Sequence, residues 1–267
     1  MNTEAAAARI WIAVDALDRC SDAIGAAIRL AQGRMVELAG VFVEDDDLLR
    51  LAGWPAATET GLFELASRPF GLSEAERAMQ VQAAVLHRRL EALARDVGLS
   101  SSFRTVRSRI VPQALSLAAS GESVVMAAAS TSVRLHSRRA PVAARPVLWL
   151  VPDDAPALRA LLEAALRLDP GGTIERRLVL PEEPARAAAV SAEARRAESL
   201  RSAVPPAGTS QGRAGLRTAT VSELLARGAA GALAAGDLVL MTRAGAQADP
   251  ERVQRLLRRG AAPLVLV

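Results

Sequence analysis

The chain contains no lysine and no tyrosine, and only 3% of its 267 residues are aromatic. Its 33 basic residues are therefore all arginine, and they are interspersed with 29 carboxylates. A protein that binds nucleic acid usually concentrates positive charge in one patch and places aromatic side chains there to stack on bases. We therefore expect no nucleic-acid partner, although the isoelectric point is about 10.8.

The sequence also lacks the features of a disulfide-rich, secreted or membrane-spanning protein. Cys20 is the only cysteine, which excludes an internal disulfide and a metal site built from cysteines. No apolar run approaches the 18 residues of a membrane span, and the first residues lack the basic and apolar regions of a signal peptide. We expect a cytoplasmic protein that does not insert into a membrane.

Short apolar runs alternate with amphipathic stretches along the first half of the chain. The runs at 9–14, 36–43, 103–107, 123–128 and 146–151 are typical of buried parallel strands. Helices are predicted at 23–32, 73–97 and 112–119, the second of them beginning with a capping box of Ser73 and Glu76. Such alternation predicts an α/β fold with a parallel sheet and helices on both faces.

The second half repeats this order, which indicates a tandem duplication. At an offset of 138 residues Gly33 corresponds to Gly171 and Glu44 to Glu182, and the offset falls to about 115 near the end of the chain. The second copy therefore lacks a counterpart of residues 45–72. We place repeat 1 at 1–151 and a shortened repeat 2 at 152–267, while the strand at 146–151 fits the end of the first sheet or the start of the second.

The run Ile12-Ala13-Val14-Asp15 before an alanine-rich helix, and the run from Leu38 to Asp45, resemble the universal stress protein family. The resemblance implies two tandem Rossmann-like open parallel sheets and a cytoplasmic location. It also implies pairing through edge strands, as a homodimer or as an intramolecular pseudo-dimer. In this chain the pairing strands would be those at 146–151 and 262–267.

The family's phosphate-binding loop is largely missing. In the family a strand is followed by G-x-x-G, nine residues, and G-S or G-T. The corresponding residues here are Ala127, Ser130, Ala140 and Pro141 in the first half, and Thr242, Gly245, Arg255 and Leu256 in the second. A Cβ atom at such positions obstructs the approach of backbone N–H groups to phosphate. We therefore expect no bound cofactor and no ATP binding of the usual kind.

The resemblance also implies where a nucleotide would bind if binding persisted. The Asp15 position lies beside the ribose, Val41 and Val43 line the adenine pocket, and Ala127 and Ser130 begin the degenerate phosphate loop. The alternative to a protein without cofactor is thus an adenine-nucleotide-binding stress sensor that holds ATP or AMP around Asp15 and Val41.

No set of side chains in the sequence forms a nameable catalytic or metal-binding group. The acidic run of residues 44–47 is typical of a solvated turn in which Asp47 caps a following helix, with a Mg²⁺ or Ca²⁺ site as the alternative. His87, His136 and Cys20 have no partners at catalytic or metal-ligand spacing. We expect a non-enzymatic protein, and an enzyme of the wider adenine-nucleotide α-hydrolase-like group is a third hypothesis.

Two surfaces suggest protein association with an unknown partner. The connection at 48–70 carries three of the chain's seven aromatic residues, including Trp54 and Phe63, and the second repeat lacks it. It is predicted to be a lid, a partner surface or a segment packed on the sheet edge. The arginine-rich last helix at 252–259 is interpreted as a solvated face or as a surface for an acidic partner.

Overall fold

The computed structural model describes residues 8–17, 20–60, 67–118, 122–128, 146–203, 215–229, 236–260 and 262–267. In the first half, strands and helices follow the order β1 (Ala8–Val14), α1 (Cys20–Ala31), β2 (Val36–Asp45), α2 (Asp46–Ala52), β3 (Thr58–Thr60), β4 (Ser67–Pro69), α3 (Leu72–Asp96), β5 (Ser100–Ser108), α4 (Ile110–Ala118) and β6 (Ser123–Ala127). The second half contains β7 (Val147–Val151), α5 (Ala155–Leu168), β8 (Glu175–Val179), α6 (Pro184–Ala203), β9 (Leu216–Ala219), α7 (Val221–Ala229), β10 (Leu238–Met241), α8 (Arg243–Ala248), α9 (Pro250–Gly260) and β11 (Leu264–Leu266).

Nine of the strands form one sheet in the order β5-β2-β1-β6-β11-β10-β7-β8-β9, and β3 with β4 forms a separate hairpin. Neighbours in the large sheet run parallel, except that β6 and β11 run antiparallel. The strands of the two halves therefore point in opposite directions. The protein has the α/β fold expected from the sequence, with its two parallel sheets joined edge to edge.

The junction between the halves is formed by β6 and β11, where Val265 lies opposite Val125. Residues 262–267 thus form the junction as we expected, but the strand at 146–151 does not. That strand, β7, pairs with β8 and β10 and is central to the second set of strands. Its uniformly apolar sequence fits any central position of a sheet, so composition alone could not assign it. The division of the chain at residues 151 and 152 stays a prediction, because one continuous sheet contains both halves.

Hydrophobic cores lie on both faces of the sheet. One face packs against α1, α3, α5 and α6, and the other packs against α4, α7, α8 and α9. Central strand residues such as Val14, Val125 and Leu150 are completely buried, as expected for parallel strands covered on both sides. Among the described residues, no helix combines the length and the apolar composition needed to cross a membrane.

Two helix starts differ from the expectation. Helix α3 begins at Leu72 after Gly71, with no side-chain cap, so the capping box predicted from Ser73 and Glu76 is wrong. Glu76 instead accepts a hydrogen bond from Arg107 at 3.0 Å. Helix α2 is capped by Asp45 rather than by Asp47, because the Asp45 carboxylate accepts the N–H groups of residues 47 and 48.

Candidate functional site: two clefts at the carboxyl ends of the strands

Each half of the sheet has a cleft at the carboxyl ends of its strands, where open α/β sheets bind ligands. The first cleft, with a volume of about 370 Å³, is lined by Asp15 after β1, Val43 in β2 and Ala128 after β6. The second cleft, with a volume of about 680 Å³, is lined by Asp153 after β7 and Pro181 after β8. Asp153 and Pro181 lie 138 residues beyond Asp15 and Val43, so the two clefts are related by the tandem repeat. Because the two sets of strands are antiparallel, the clefts open at opposite ends of the sheet.

The structure brings only some of the residues suggested by the family resemblance together. Asp15 and Val43 line the first cleft. Val41 is completely buried in the core beneath α4, and Ala127 is buried in the core of the opposite face. Ser130 lies outside the described residues. The assignment of these five residues to a nucleotide site remains a prediction.

The first cleft combines an apolar floor with a charged rim. The rim residues include Arg109, whose guanidinium donates a hydrogen bond to Asp47 at 2.7 Å. That hydrogen bond is the main reason why the pKa of Asp47 lies below its usual value, and the charges of Arg109, Arg50 and Arg258 act in the same direction. The floor consists of small and aliphatic side chains: Val43, Ile110, Val111, Pro112, Ala128 and Leu257.

Residues 44–47, which could have been a cation site, make separate interactions. Glu44 is 3.5 Å from Arg107, Asp46 forms an ion pair with Arg50 at 2.7 Å, and Asp45 caps α2. No group of three or more potential metal ligands occurs within the part of the chain that the structure describes. The run spans the end of β2 and the start of α2, and its interpretation as a solvated turn, with a cation site as the alternative, stays a prediction.

In the second cleft an acidic side chain lies beside Gly245. This residue is the one glycine that remains of the phosphate-loop counterpart after β10. An ideal Cβ atom added to Gly245 would lie 1.7 Å from Oδ2 of Asp153. The backbone N–H of Gly245 donates instead to Oγ1 of Thr242, which caps α8, at 3.2 Å. Gly245 thus makes room for a carboxylate, and its N–H is already satisfied within the protein.

Asp153 is held by an arginine from α9. Nη1 of Arg252 donates to Oδ1 of Asp153 at 3.1 Å, and the Arg252 side chain is only 15% exposed. Oδ2 of Asp153 is buried and has no hydrogen-bond partner among the residues that the structure describes. Burial raises the pKa of Asp153 above its usual value, and the charge of Arg252 opposes that rise.

Both clefts are lined by more acidic than basic side chains, although the whole chain carries a formal charge of +4. The described lining of the second cleft has five carboxylates and three guanidinium groups: Asp153, Asp154, Glu182, Glu183 and Asp249 against Arg186, Arg252 and Arg255. The described lining of the first cleft has four carboxylates and two guanidinium groups: Asp15, Asp45, Asp47 and Glu251 against Arg109 and Arg258. Each lining has a formal charge of −2, which repels a polyanion.

Sequence reasoning missed the contributions of Asp153 and of α9. The repeat offset of 138 contained the signal for Asp153, since it projects Asp15 onto that position. No local signal assigns the arginines of α9 to the clefts, because the contacts span about 100 residues of chain, as in the Asp153–Arg252 pair. The last helix is therefore more than a solvated basic surface.

The other candidate residues lie outside the two clefts. Cys20 is buried, and its sulfur accepts a hydrogen bond from Arg89 at 3.2 Å. The ring of His87 stacks on Phe103 with a centroid distance of 4.8 Å. His136 and Phe63 lie outside the described residues.

No family model matches the chain, and no curated protein matches its sequence. The solved structures similar to it include a universal stress protein from Archaeoglobus fulgidus DSM 4304, with 12% identity, coverage of 97% of both chains and a TM-score of 0.45. The cytoplasmic domain of a prokaryotic cation chloride cotransporter is similar at 9% identity over 97% of this chain and 95% of that one, with a TM-score of 0.42. A functionally unknown protein from Pseudomonas aeruginosa PAO1 is similar at 11% identity over 98% and 92%, with a TM-score of 0.41.

Proposed function

We propose that the chain is a non-enzymatic, universal stress-like regulatory protein that acts by associating with another protein and does not bind ATP through the family's phosphate loop. The observation that carries the proposal is the contact between Asp153 and Gly245. Where the resemblance would place phosphate, the second cleft has a carboxylate and an N–H group that donates to Thr242. A phosphate there would face Asp153 at short range and would lose the backbone donor.

The charge of the clefts supports the same proposal. ATP is a polyanion at neutral pH, and each described cleft lining has a formal charge of −2. Two of the three arginines of the second cleft are already paired, Arg252 with Asp153 and Arg186 with Glu183 at 2.7 Å. A phosphate that took either guanidinium would leave a carboxylate without that partner.

A titration with ATP, ADP and AMP, with and without Mg²⁺, tests the proposal by thermal shift and calorimetry. A ligand present at a hundred times its Kd stabilises the native state by about 2.7 kcal/mol, which is readily visible as a rise in Tm. We expect no rise in Tm at millimolar ATP. Micromolar affinity for ATP, or nucleotide that co-purifies with the protein, would contradict the proposal.

The first cleft supports a second candidate function, the sensing of an adenine nucleotide such as AMP. The supporting observation is that Asp15 lies beside the apolar floor that contains Val43. If AMP raises the Tm, the Asp15→Ala variant should abolish the rise and the Asp153→Ala variant should retain it. The two variants remove equivalent carboxylates from the two clefts, so each serves as the control for the other.

A further inference from the structure

Helix α9 forms a wall of both clefts. Its Arg252 and Arg255 line the second cleft. Its Glu251, Gln254 and Arg258 line the first. Successive residues of an α-helix are separated by about 100°, so these two sets lie side by side on the surface of α9, and Arg255 is four residues from Glu251 and three from Arg258. A third face is buried against the sheet through Val253, Leu256 and Leu257.

Over this part of their lining, the two clefts are therefore formed by neighbouring rows of side chains on one helix. They face opposite ends of the sheet, because the strands of the two halves are antiparallel across β6 and β11. Helix α9 leads into β11, the strand that joins the halves. A displacement of α9 would thus change the shape of both clefts.

Charged contacts act on both rows of α9 side chains. On the second-cleft side, Arg252 is bonded to Asp153, which follows the first strand of its half. On the first-cleft side, the charge of Arg258 acts on Asp47, which itself bonds to Arg109, another lining residue of that cleft. Acidic side chains from both halves of the chain thus interact with α9, Asp153 through a hydrogen bond and Asp47 through charge.

We propose that α9 couples the two clefts. Breaking the Asp153–Arg252 contact in the second cleft would loosen the first cleft, and removing the charge of Arg258 in the first cleft would loosen the second. This coupling is a property of the protein itself, and it does not depend on which ligand either cleft binds. Thermodynamic linkage requires it to be reciprocal. A ligand that displaces Arg252 from Asp153 would then alter the first cleft without touching it.

Hydrogen exchange measured by mass spectrometry tests the proposal on the whole chain with single substitutions. Arg252→Gln removes the charge on the second-cleft side of α9. We expect exchange to rise about fivefold or more in residues 45–52 and 109–113, which include Asp45, Asp47 and residues 109–112 of the first-cleft lining and do not contain the substitution. Arg186→Gln is the matched control, since Arg186 lines the second cleft from α6 and pairs with Glu183. It should leave residues 45–52 and 109–113 unchanged.

The reciprocal experiment uses Arg258→Gln, which should raise exchange in residues 152–157 of the second cleft by a similar factor. Residues 80–96 of α3 are outside both cleft linings and report any general loss of stability. An increase confined to residues 242–260, or one that is equal in α3, would overturn the proposal. If Arg252→Gln fails to fold, Asp153→Ala removes the same contact from the other side and makes the same prediction.

Discussion

At the scale of single residues, the second cleft is defined by the close approach of Asp153 to Gly245. The tandem repeat singles out Asp153 as the counterpart of Asp15, and the family resemblance singles out Gly245 as part of the phosphate loop. In the structure, however, the two residues pack against each other. Helical glycines usually destabilise, by about 0.5–1 kcal/mol relative to alanine. Gly245 is retained in α8 because a Cβ atom there would overlap the carboxylate of Asp153.

We predict that Gly245→Ala destabilises the protein by about 1–3 kcal/mol, because the added methyl group forces Asp153 away from Arg252. Gly25→Ala in α1 is the control, since its Cβ would meet nothing closer than Arg29 at 4.0 Å. That substitution should stabilise by about 0.5–1 kcal/mol. Urea unfolding gives the stability of Gly245→Ala, of Gly25→Ala and of the double variant that carries Gly245→Ala and Asp153→Ala. The double variant shows whether the loss depends on the Asp153 side chain. If the double variant is no more stable than Gly245→Ala alone, the overlap with Asp153 is not the cause.

Asp47 and Asp153 should affect stability with opposite dependence on pH. The pKa of Asp153 is raised in the folded protein, so its ionisation costs stability as pH rises from about 3.8 through the folded pKa. The pKa of Asp47 is lowered, so its stabilising contribution is present above about 3.8 and is lost as pH falls through the folded pKa.

The measurement is the Tm of the wild-type protein, of Asp153→Asn and of Asp47→Asn between about pH 3 and pH 7. With rising pH, the wild-type protein should lose Tm relative to Asp153→Asn and gain Tm relative to Asp47→Asn. The Asp47 effect should be smaller and should weaken with salt, because the side chain is 46% exposed. If the Tm difference from wild type changes in the same direction with pH for both variants, the pKa values of the two carboxylates are not shifted in opposite directions.

At the scale of secondary-structure elements, α2 shows how one short helix divides between core and surface. Leu49 is buried at 4% exposure, whereas Leu48 and Leu51 of α2 are 39% and 49% exposed, and Trp54, two residues after the helix ends, is 69% exposed. The exposed residues recur every three positions and form an apolar stripe beside the acidic turn of the first cleft. This stripe is the described part of the surface that favours a protein partner.

We predict that Trp54→Ala changes stability by less than about 0.5 kcal/mol, as is usual for an exposed position. Leu49→Ala, on the neighbouring helix α2, should cost about 2–5 kcal/mol because it leaves a cavity in the core. If the stripe contacts a partner, Trp54→Ala should weaken association in sedimentation velocity while leaving the Tm unchanged. A loss of several kcal/mol on Trp54→Ala would instead make Trp54 part of the core and remove this support for association.

The sequence predicted the elements better than their ends and their neighbours. The strands and helices of the first half lie where the apolar periodicity indicated, because burial on one or both faces constrains every residue of an element. The predicted caps of α2 and α3 were wrong. Several adjacent acidic or hydroxyl side chains could cap each helix, and the backbone geometry decides where the helix begins. In the site, the equivalence of Asp15 and Asp153 could be predicted from the repeat. The contact of Asp153 with Arg252 could not, because nothing local links β7 to α9.

At the scale of the whole molecule, β11 makes the two halves one structural unit. It extends the parallel strands of the second half through β10 and pairs antiparallel with β6 of the first. Val265 is completely buried between Val125 and Leu240. The two hydrophobic cores also extend across the halves, since each contains residues from β6 and from β10. Neither half can therefore lose its structure without exposing apolar surface of the other.

We predict a single unfolding transition for the whole chain, with the same midpoint by calorimetry, by circular dichroism and by the fluorescence of Trp149 in the second half. Val265→Asp should unfold both halves together, because a buried, unpaired charge in the shared strand disrupts the sheet on both sides. Val81→Asp is the matched control, since Val81 lies on α3 with 59% exposure and the same change there should be tolerated. Two separate transitions, or an isolated fragment of residues 1–145 that remains folded, would contradict the prediction. The junction at β6 and β11 would then be an interface between independent domains, and the coupling through α9 would have to act across it.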